Sequence, residues 1–408
     1  RLFDASANLH PLERLALAKR MGAQGEERQF MARGERIYVP RLAETAPDGA
    51  SPDGSVPRIE VAGGRNFSAI RRGNGSGISQ WVFAESAEPS PGPAEIVVEV
   101  RSVALSQLDV LADLGLAKAE TAAVAGVGRD FSGFVTAVGQ AVDDLKVGDP
   151  VVGICEGALV RRLVVERARV ARKPALLGFT EASSLPYTFL VARYALSVVG
   201  RLRAGERCLV ASSSGGVAEA VMSVARSIGA AVTAISRCPA RRRELEEQGI
   251  RVIAPLESIE EDSRFEDDEE FDLIVGAVSG AALHGLVDRL ASGGRYLDLC
   301  PRLQFERPEI GALRLGANRS ISAIDTRELI QNDPDLVAAL LEETVTEAER
   351  GHSRSIPVTV FPVASTSRAL RLMAQNRHAG RVCLDLTDAA GVEIECHLAP
   401  PVPLSERG

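Results

Sequence analysis

Residues 210–226 read VASSSGGVAEAVMSVAR, a β-rich apolar run that passes through a Ser/Gly turn straight into a helical pattern. The preceding Arg207, Cys208, Leu209, Val210 and Ala211 read as a short buried strand, and Val217, Val221, Val224 and Ala225 then recur at helical spacing. Against the dinucleotide fingerprint G-x-G-x-x-G/A, the turn offers Ser213, Gly215 and Ala218 at the three small positions. Gly215 lets the backbone approach a pyrophosphate, and Ala218 allows the helix to lie close on the strand. The free N–H groups of the turn and first helical residues, Ser213, Ser214, Gly215, Gly216 and Val217, face the anion. Turns of small residues also join strands to helices for packing alone, so the surrounding sequence has to decide.

The next strand-like run, AAVTAI at residues 230–235, ends about twenty residues beyond the glycines, where an acid holds the ribose 2′-OH in an NAD site. Here it ends in Ser236 and Arg237, with Arg241, Arg242 and Arg243 close behind. A hydroxyl and guanidinium groups suit a 2′-phosphate, which predicts NADPH; the alternative is a solvated helix face. Residues 256–272 form an acidic interruption that reads as a solvated loop. Two further strand-like runs, residues 271–275 and 294–299, are separated by a helical stretch at 281–290. Alternation of this kind predicts an α/β unit with a doubly wound parallel sheet.

The 408 residues have room for two or three compact units, and 45% hydrophobic with 25% charged residues is ordinary soluble globular material. A net charge of −8 argues against a general nucleic-acid surface. No apolar stretch approaches the about 18 residues of a membrane span. The first residues lack the layout of a secretion signal, which predicts a cytoplasmic location, and the absence of an initial Met suggests a piece of a longer polypeptide. Cys155, Cys208, Cys238, Cys300, Cys383 and Cys396 are scattered, and the five histidines show no ligand spacing, so no metal site is predicted.

Residues 1–57 contain an amphipathic helical stretch at 12–21, a strand-like run at 36–42, and a Pro/Gly/Asp/Ser-rich linker at 43–57. Short strands then follow to about residue 170, at 58–61, 78–85, 95–104, 131–138, 150–154 and 158–166, as expected of a small irregular β-barrel. A helix at 180–185 is interrupted by Pro186 before a longer helical run at 188–199. Past the nucleotide unit, an amphipathic helix at 334–351 precedes a strand at 357–361, a helix at 365–375 and a last strand at 380–386. That order suggests the chain returning to complete the barrel.

Taken together, residues 58–386 resemble the medium-chain dehydrogenase/reductase superfamily, and within it the enoyl reductase domains of modular type I polyketide synthases and animal-type fatty acid synthases. The landmarks are Gly128-Arg129-Asp130-Phe131-Ser132-Gly133, Val138-Gly139, Leu145-Lys146-Val147-Gly148-Asp149, and residues 182–186 with Tyr194-Ala195-Leu196. Gly215-Gly216-Val217 and Arg371-Leu372-Met373-Ala374 complete them, and the order and spacing carry the resemblance. Glu27-Arg28-Gln29-Phe30 and Tyr38-Val39-Pro40-Arg41-Leu42 look like the tail of a structural ketoreductase region, which favours the polyketide branch. The resemblance implies a GroES-like β-barrel substrate domain at 58–187 and a Rossmann NADPH-binding domain at 188–325. A return to the substrate domain at 326–387 and a C-terminal linker at 388–408 would follow.

Zinc-dependent members place a Cys where this chain has Ser106 and a Gly-His-Glu where it has Gly128-Arg129-Asp130, so it resembles the metal-free branch. The implied chemistry is hydride transfer from NADPH to the β-carbon of an α,β-unsaturated thioester on an acyl carrier protein, with neighbouring ketoreductase and dehydratase domains as partners. Relatives carry a Lys at the position of Pro301; the adjacent Arg302 has a guanidinium, which is too weak an acid to release a proton at neutral pH. The Asp that partners this Lys is retained as Asp325. The motif L-N-[FY]-R-D reads Leu105-Ser106-Gln107-Leu108-Asp109, and Glu219 stands where relatives carry a small or apolar residue. Candidate catalytic residues are therefore Asp325, Arg302, Ser106 and Gln107. These departures leave two other expectations open: an inactive pseudo-reductase with a structural role, or a retuned domain for double-bond migration or cyclisation of the tethered chain.

Overall fold

The computed structural model describes residues 58–72, 80–114, 126–211, 215–236, 238–253, 269–278, 281–299, 315–351, 356–375, 378 and 380–396, together with three short strands nearer the N-terminus. Those strands, β1 (Leu2–Asp4), β2 (Gln29–Arg33) and β3 (Arg36–Tyr38), form a sheet within a compact unit covering residues 1–56. β1 runs parallel to β2, and β2 antiparallel to β3. The helix expected at 12–21 and the linker at 43–57 lie outside the described residues.

The second unit, residues 57–408, opens with β4 (Arg58–Val61), β5 (Phe67–Arg72), β6 (Gln80–Glu85) and β7 (Glu95–Ala104). A short helix α1 (Gln107–Asp113) leads to β8 (Asp130–Val138), β9 (Pro150–Ile154), β10 (Arg162–Glu166) and β11 (Val170–Arg172). β7 is the spine of this lobe: Ile96, Val98, Val100 and Val103 are buried in one apolar cluster with Phe67, Phe131 and Leu159. β5 was not expected from sequence, because FSAIRR mixes apolar and basic residues and half-buries most of them.

Two helices, α2 (Phe179–Ala182) and α3 (Pro186–Arg193), carry the chain out of the barrel. Pro186 does not interrupt a helix as expected; it is the first residue of α3, where a missing N–H costs nothing. α3 continues as a π-helix over Tyr194–Val199. The nucleotide-type lobe then comprises β12 (Arg207–Val210), α4 (Gly216–Ile228), β13 (Ala231–Ile235), α5 (Pro239–Glu247), β14 (Arg251–Ile253), β15 (Phe271–Gly276), α6 (Ala281–Asp288), β16 (Leu290–Asp298) and β17 (Ser320–Ala323). Its strands are all parallel, in the order β14-β13-β12-β15-β16-β17. Numbered by chain order within the lobe this is 3-2-1-4-5-6, the doubly wound Rossmann order, with its switch point between β12 and β15. α4 forms because Ala220, Val221, Val224 and Ala225 fall on one face and are buried against the sheet, and Gly229 ends it in the left-handed conformation.

After α7 (Thr326–Asn332) and α8 (Pro334–Glu349), the chain returns to the barrel through β18 (Val358–Pro362), α9 (Thr366–Ala374) and β19 (Arg381–Asp385). β19 pairs antiparallel with β7, with Cys383 opposite Ala104, so the return expected from sequence is made by backbone hydrogen bonds. Residues 388–408 were expected to be a linker, yet they carry β20 (Glu393–Cys396), which pairs antiparallel with β4. No helix among the described residues is long and apolar enough to cross a membrane.

Candidate functional site

A cavity of about 350 Å³ opens at the switch point, with Gly215, Gly216, Val217 and Ala218 on one wall and Leu105, Ser106, Gln107, Leu108 and Leu111 on the other. Val275, Gly276, Ala277, Leu299, Ile324, Met373 and Val382 make most of its remaining lining apolar. In open α/β sheets a crevice at this place, beyond the carboxyl ends of the strands, is where ligands bind.

Gly215 and Gly216 start α4 at the edge of this cavity. Gly215 has φ +87°, open to glycine at little cost, and it is the N-cap of the 13-residue α4. A Cβ on Gly216 would lie 2.5 Å from Cδ of Arg381 and 3.2 Å from Cγ2 of Thr188. The absent side chain is thus what lets the turn, α3 and β19 meet. Together with the positive end of the α4 dipole, these residues fit the pyrophosphate of a nicotinamide dinucleotide. Ser213 and Ser214 lie outside the described residues.

The residues expected at the ribose end are placed differently from one another. Ser236 follows β13, is buried, and donates its N–H to the Ile253 carbonyl at 3.1 Å. Arg237 lies outside the described residues. Arg241, on α5, is ion-paired with Glu219 of α4 and with Glu244 at 2.7 Å. Glu219 therefore points towards α5, and neither it nor Arg241 lines the cavity. Burial raises the Glu219 carboxyl above its ordinary value, against the lowering effect of Arg241.

On the barrel side, Ser106 caps α1. Its hydroxyl donates to Asp109 Oδ2 at 2.8 Å, and Asp109 Oδ1 accepts the Gly128 N–H at 2.9 Å. Gln107 is exposed at the rim. Asp325 lines the cavity and caps α7, its Oδ1 accepting the N–H groups of Arg327 at 2.9 Å and Glu328 at 3.3 Å. Pro301 and Arg302 lie outside the described residues. Ser106, Gln107 and Asp325 thus meet at one cavity with the α4 turn.

Several groups outside the candidate site residues stand among them. Asp130 is fully buried, accepts the Tyr187 N–H and is ion-paired with buried Arg381. Burial pushes its carboxyl up to about 6, opposed by Arg381, the Tyr187 N–H and Arg129. Arg129 lies over the Tyr187 ring at 5.0 Å and bonds Glu156 at 3.1 Å, and Glu156 also faces Arg327 at 3.5 Å. Tyr187 shares a 2.7 Å hydrogen bond with the Thr326 hydroxyl. His378 also lines the cavity, with its Nδ1 buried and without a hydrogen-bond partner among the described residues. Burial and then Arg381 hold its pKa below the usual imidazole value. Only Arg129 and Asp130 had a sequence signal, through their place in Gly128-Arg129-Asp130. Tyr187 and Thr326 are 139 residues apart, and no motif spacing joins them. Among the described residues, no three His, Cys, Asp or Glu side chains gather where they could hold a metal ion.

Comparison with known proteins agrees with this architecture. Residues 92–186 match the alcohol dehydrogenase GroES-like domain family, and residues 257–384 match the family described as zinc-binding dehydrogenase. The chain is 29% identical over 398 residues to the spectinabilin polyketide synthase system protein NorB of Streptomyces orinoci, covering 95% of this chain and 17% of that protein. It is 29% identical over 376 residues to the phthioceranic/hydroxyphthioceranic acid synthase of Mycobacterium tuberculosis, covering 91% of this chain and 17% of that protein. The chain therefore spans under a fifth of these relatives. Among solved structures, the CurK enoyl reductase superposes with a TM-score of 0.70 at 26% identity, covering 79% of this chain and 99% of that one.

Proposed function

Because the chain belongs to the medium-chain dehydrogenase/reductase superfamily, in its polyketide synthase enoyl reductase branch, we propose that it reduces α,β-unsaturated acyl thioesters with NADPH. The observation that carries this reading is the single cavity shared by the α4 turn and the apolar residues of α1 and α9. The thioester would arrive on an acyl carrier protein, beside ketoreductase and dehydratase domains of the same polypeptide. When bound, a nicotinamide supplies the hydride.

This chain's residues supply the rest. Gly215, Gly216 and Val217 offer backbone N–H groups to the pyrophosphate, and Ala218 keeps α4 close to its strand. Leu105, Leu108, Leu111 and Met373 seat the acyl chain and exclude water, which strengthens every polar contact inside. Ser236 in place of an acid, with Arg237 after it, supports a 2′-phosphate over a 2′-hydroxyl. Arg241 would contribute only after leaving Glu219 and Glu244.

The test is a single-turnover reaction of an enoyl-pantetheine thioester with deuterated NADPH, after fluorescence titration with NADPH and NADH. The expected result is binding at least about tenfold tighter for NADPH, worth roughly 1.4 kcal/mol, and one deuterium at the β-carbon of the saturated product. Cofactor binding with unchanged substrate would overturn the reading, and recovery of an isomerised or cyclised product would replace it with the retuned one.

A further inference from the structure

We infer that Tyr187 is the proton donor of this site, standing in for the lysine that the chain lacks; the inference rests on the enoyl reductase reading above. Few groups in the cavity have a proton to give. The Ser106 hydroxyl is committed to Asp109, and Asp325 is a capping carboxylate that accepts two backbone N–H groups. Arg129, Arg327 and Arg381 hold their protons at any working pH. Burial and then Arg381 lower the pKa of His378, which disfavours the imidazolium as a proton store. Among the described residues lining the cavity, that leaves the Tyr187 phenol and the Thr326 hydroxyl bonded to it at 2.7 Å.

The surroundings of Tyr187 suit an acid. Its backbone is anchored at the start of α3 by the N–H to buried Asp130, which fixes where the ring projects. The Arg129 guanidinium lies 5.0 Å over the ring and is itself held by Glu156 at 3.1 Å. The guanidinium thus stands as a fixed cation beside the ring whose hydroxyl meets Thr326.

The step balances. A bound nicotinamide would supply hydride to the β-carbon, and the π pair of the C=C bond would then move towards the α-carbon and the thioester oxygen. The Tyr187 O–H bond breaks, its proton bonds to the α-carbon, and the electron pair stays on the phenolate oxygen beside Arg129. Thr326 passes a proton to that oxygen and takes one from solvent once the product has left.

The experiment uses a 2-methyl-2-enoyl pantetheine thioester and NADPH in D₂O, reading turnover, the face of α-deuteration and NADPH affinity. For Tyr187→Phe we expect NADPH affinity within about twofold of the parent, turnover lower by about 10²-fold, and α-deuterium spread over both faces. Thr326→Val should slow the reaction and Thr326→Ser should restore it, a pair that keeps the test open if the tyrosine variant folds poorly. Parent-like rate and single-face delivery in Tyr187→Phe, or equal rates in the two Thr326 variants, would overturn the assignment and leave the reductase reading standing. Failure of the parent itself to transfer hydride would sink both.

Discussion

Asp130 shows how far a single residue can be read from sequence. Its place in Gly128-Arg129-Asp130 marked it as a former metal position, but nothing local announces Arg381, 251 residues away, as its partner. Sequence therefore located the residue and missed its electrostatics. In the folded protein burial raises the Asp130 carboxyl to about 6, so the fold binds that proton more tightly than the unfolded chain does. The contribution to stability is complete below about pH 4 and is lost as pH rises through about 6, a swing of about 3 kcal/mol. Thermal melts across that window should show the parent losing stability and Asp130→Asn, which has no carboxyl to ionise, giving a flatter profile. Arg381, Arg129 and Asp109 are the charged groups that face the same carboxyl. Parallel profiles for the two proteins would mean that Asp130 stays ionised throughout.

At the scale of elements, α4 and its turn were legible because everything that specifies them is local: a buried strand, small residues, then apolar positions at helical spacing. The ends of α3 were not, since Pro186 reads equally as a breaker or as a first helical residue, and only packing against Asp130 decides. β5 escaped because its alternation is blurred by Arg71 and Arg72. The direction of Glu219 was likewise open until α5 supplied Arg241. The close approach at Gly216 makes a sharp prediction. Arg381 is clamped by Asp130 and cannot swing aside, so Gly216→Ala has to push the turn out of the cavity instead. NADPH affinity in that variant should fall by at least about tenfold while the melting temperature drops by a few degrees and unfolding stays cooperative, since overpacking at this buried position costs about 1–3 kcal/mol. A fluorescence titration decides it, and unchanged affinity would show that the turn is not the pyrophosphate cradle.

Across the whole molecule, the two lobes and the return of the chain were legible because alternating and repeating patterns follow one another along the sequence in the order in which the lobes are built. The last strand was not. Glu393, Ile394, Glu395 and Cys396 offer only two apolar residues, and their partners in β4 lie more than three hundred positions earlier. That pairing sets Cys396 opposite Arg58 and Glu393 opposite Val61, one strand spacing apart, about 5 Å. The first residue of β4 and the last residue of β20 consequently lie side by side, like the two pins of a plug. A folded body with such neighbouring pins can be lifted out of one long chain and set into another without stretching either host segment. A circular permutant that bridges residues 58 and 396 with a short Gly/Ser loop, and opens the chain at the exposed turn around Gly148, should keep the parent's circular dichroism and melt cooperatively. An unfolded permutant would show that this hairpin-like junction needs its native flanks.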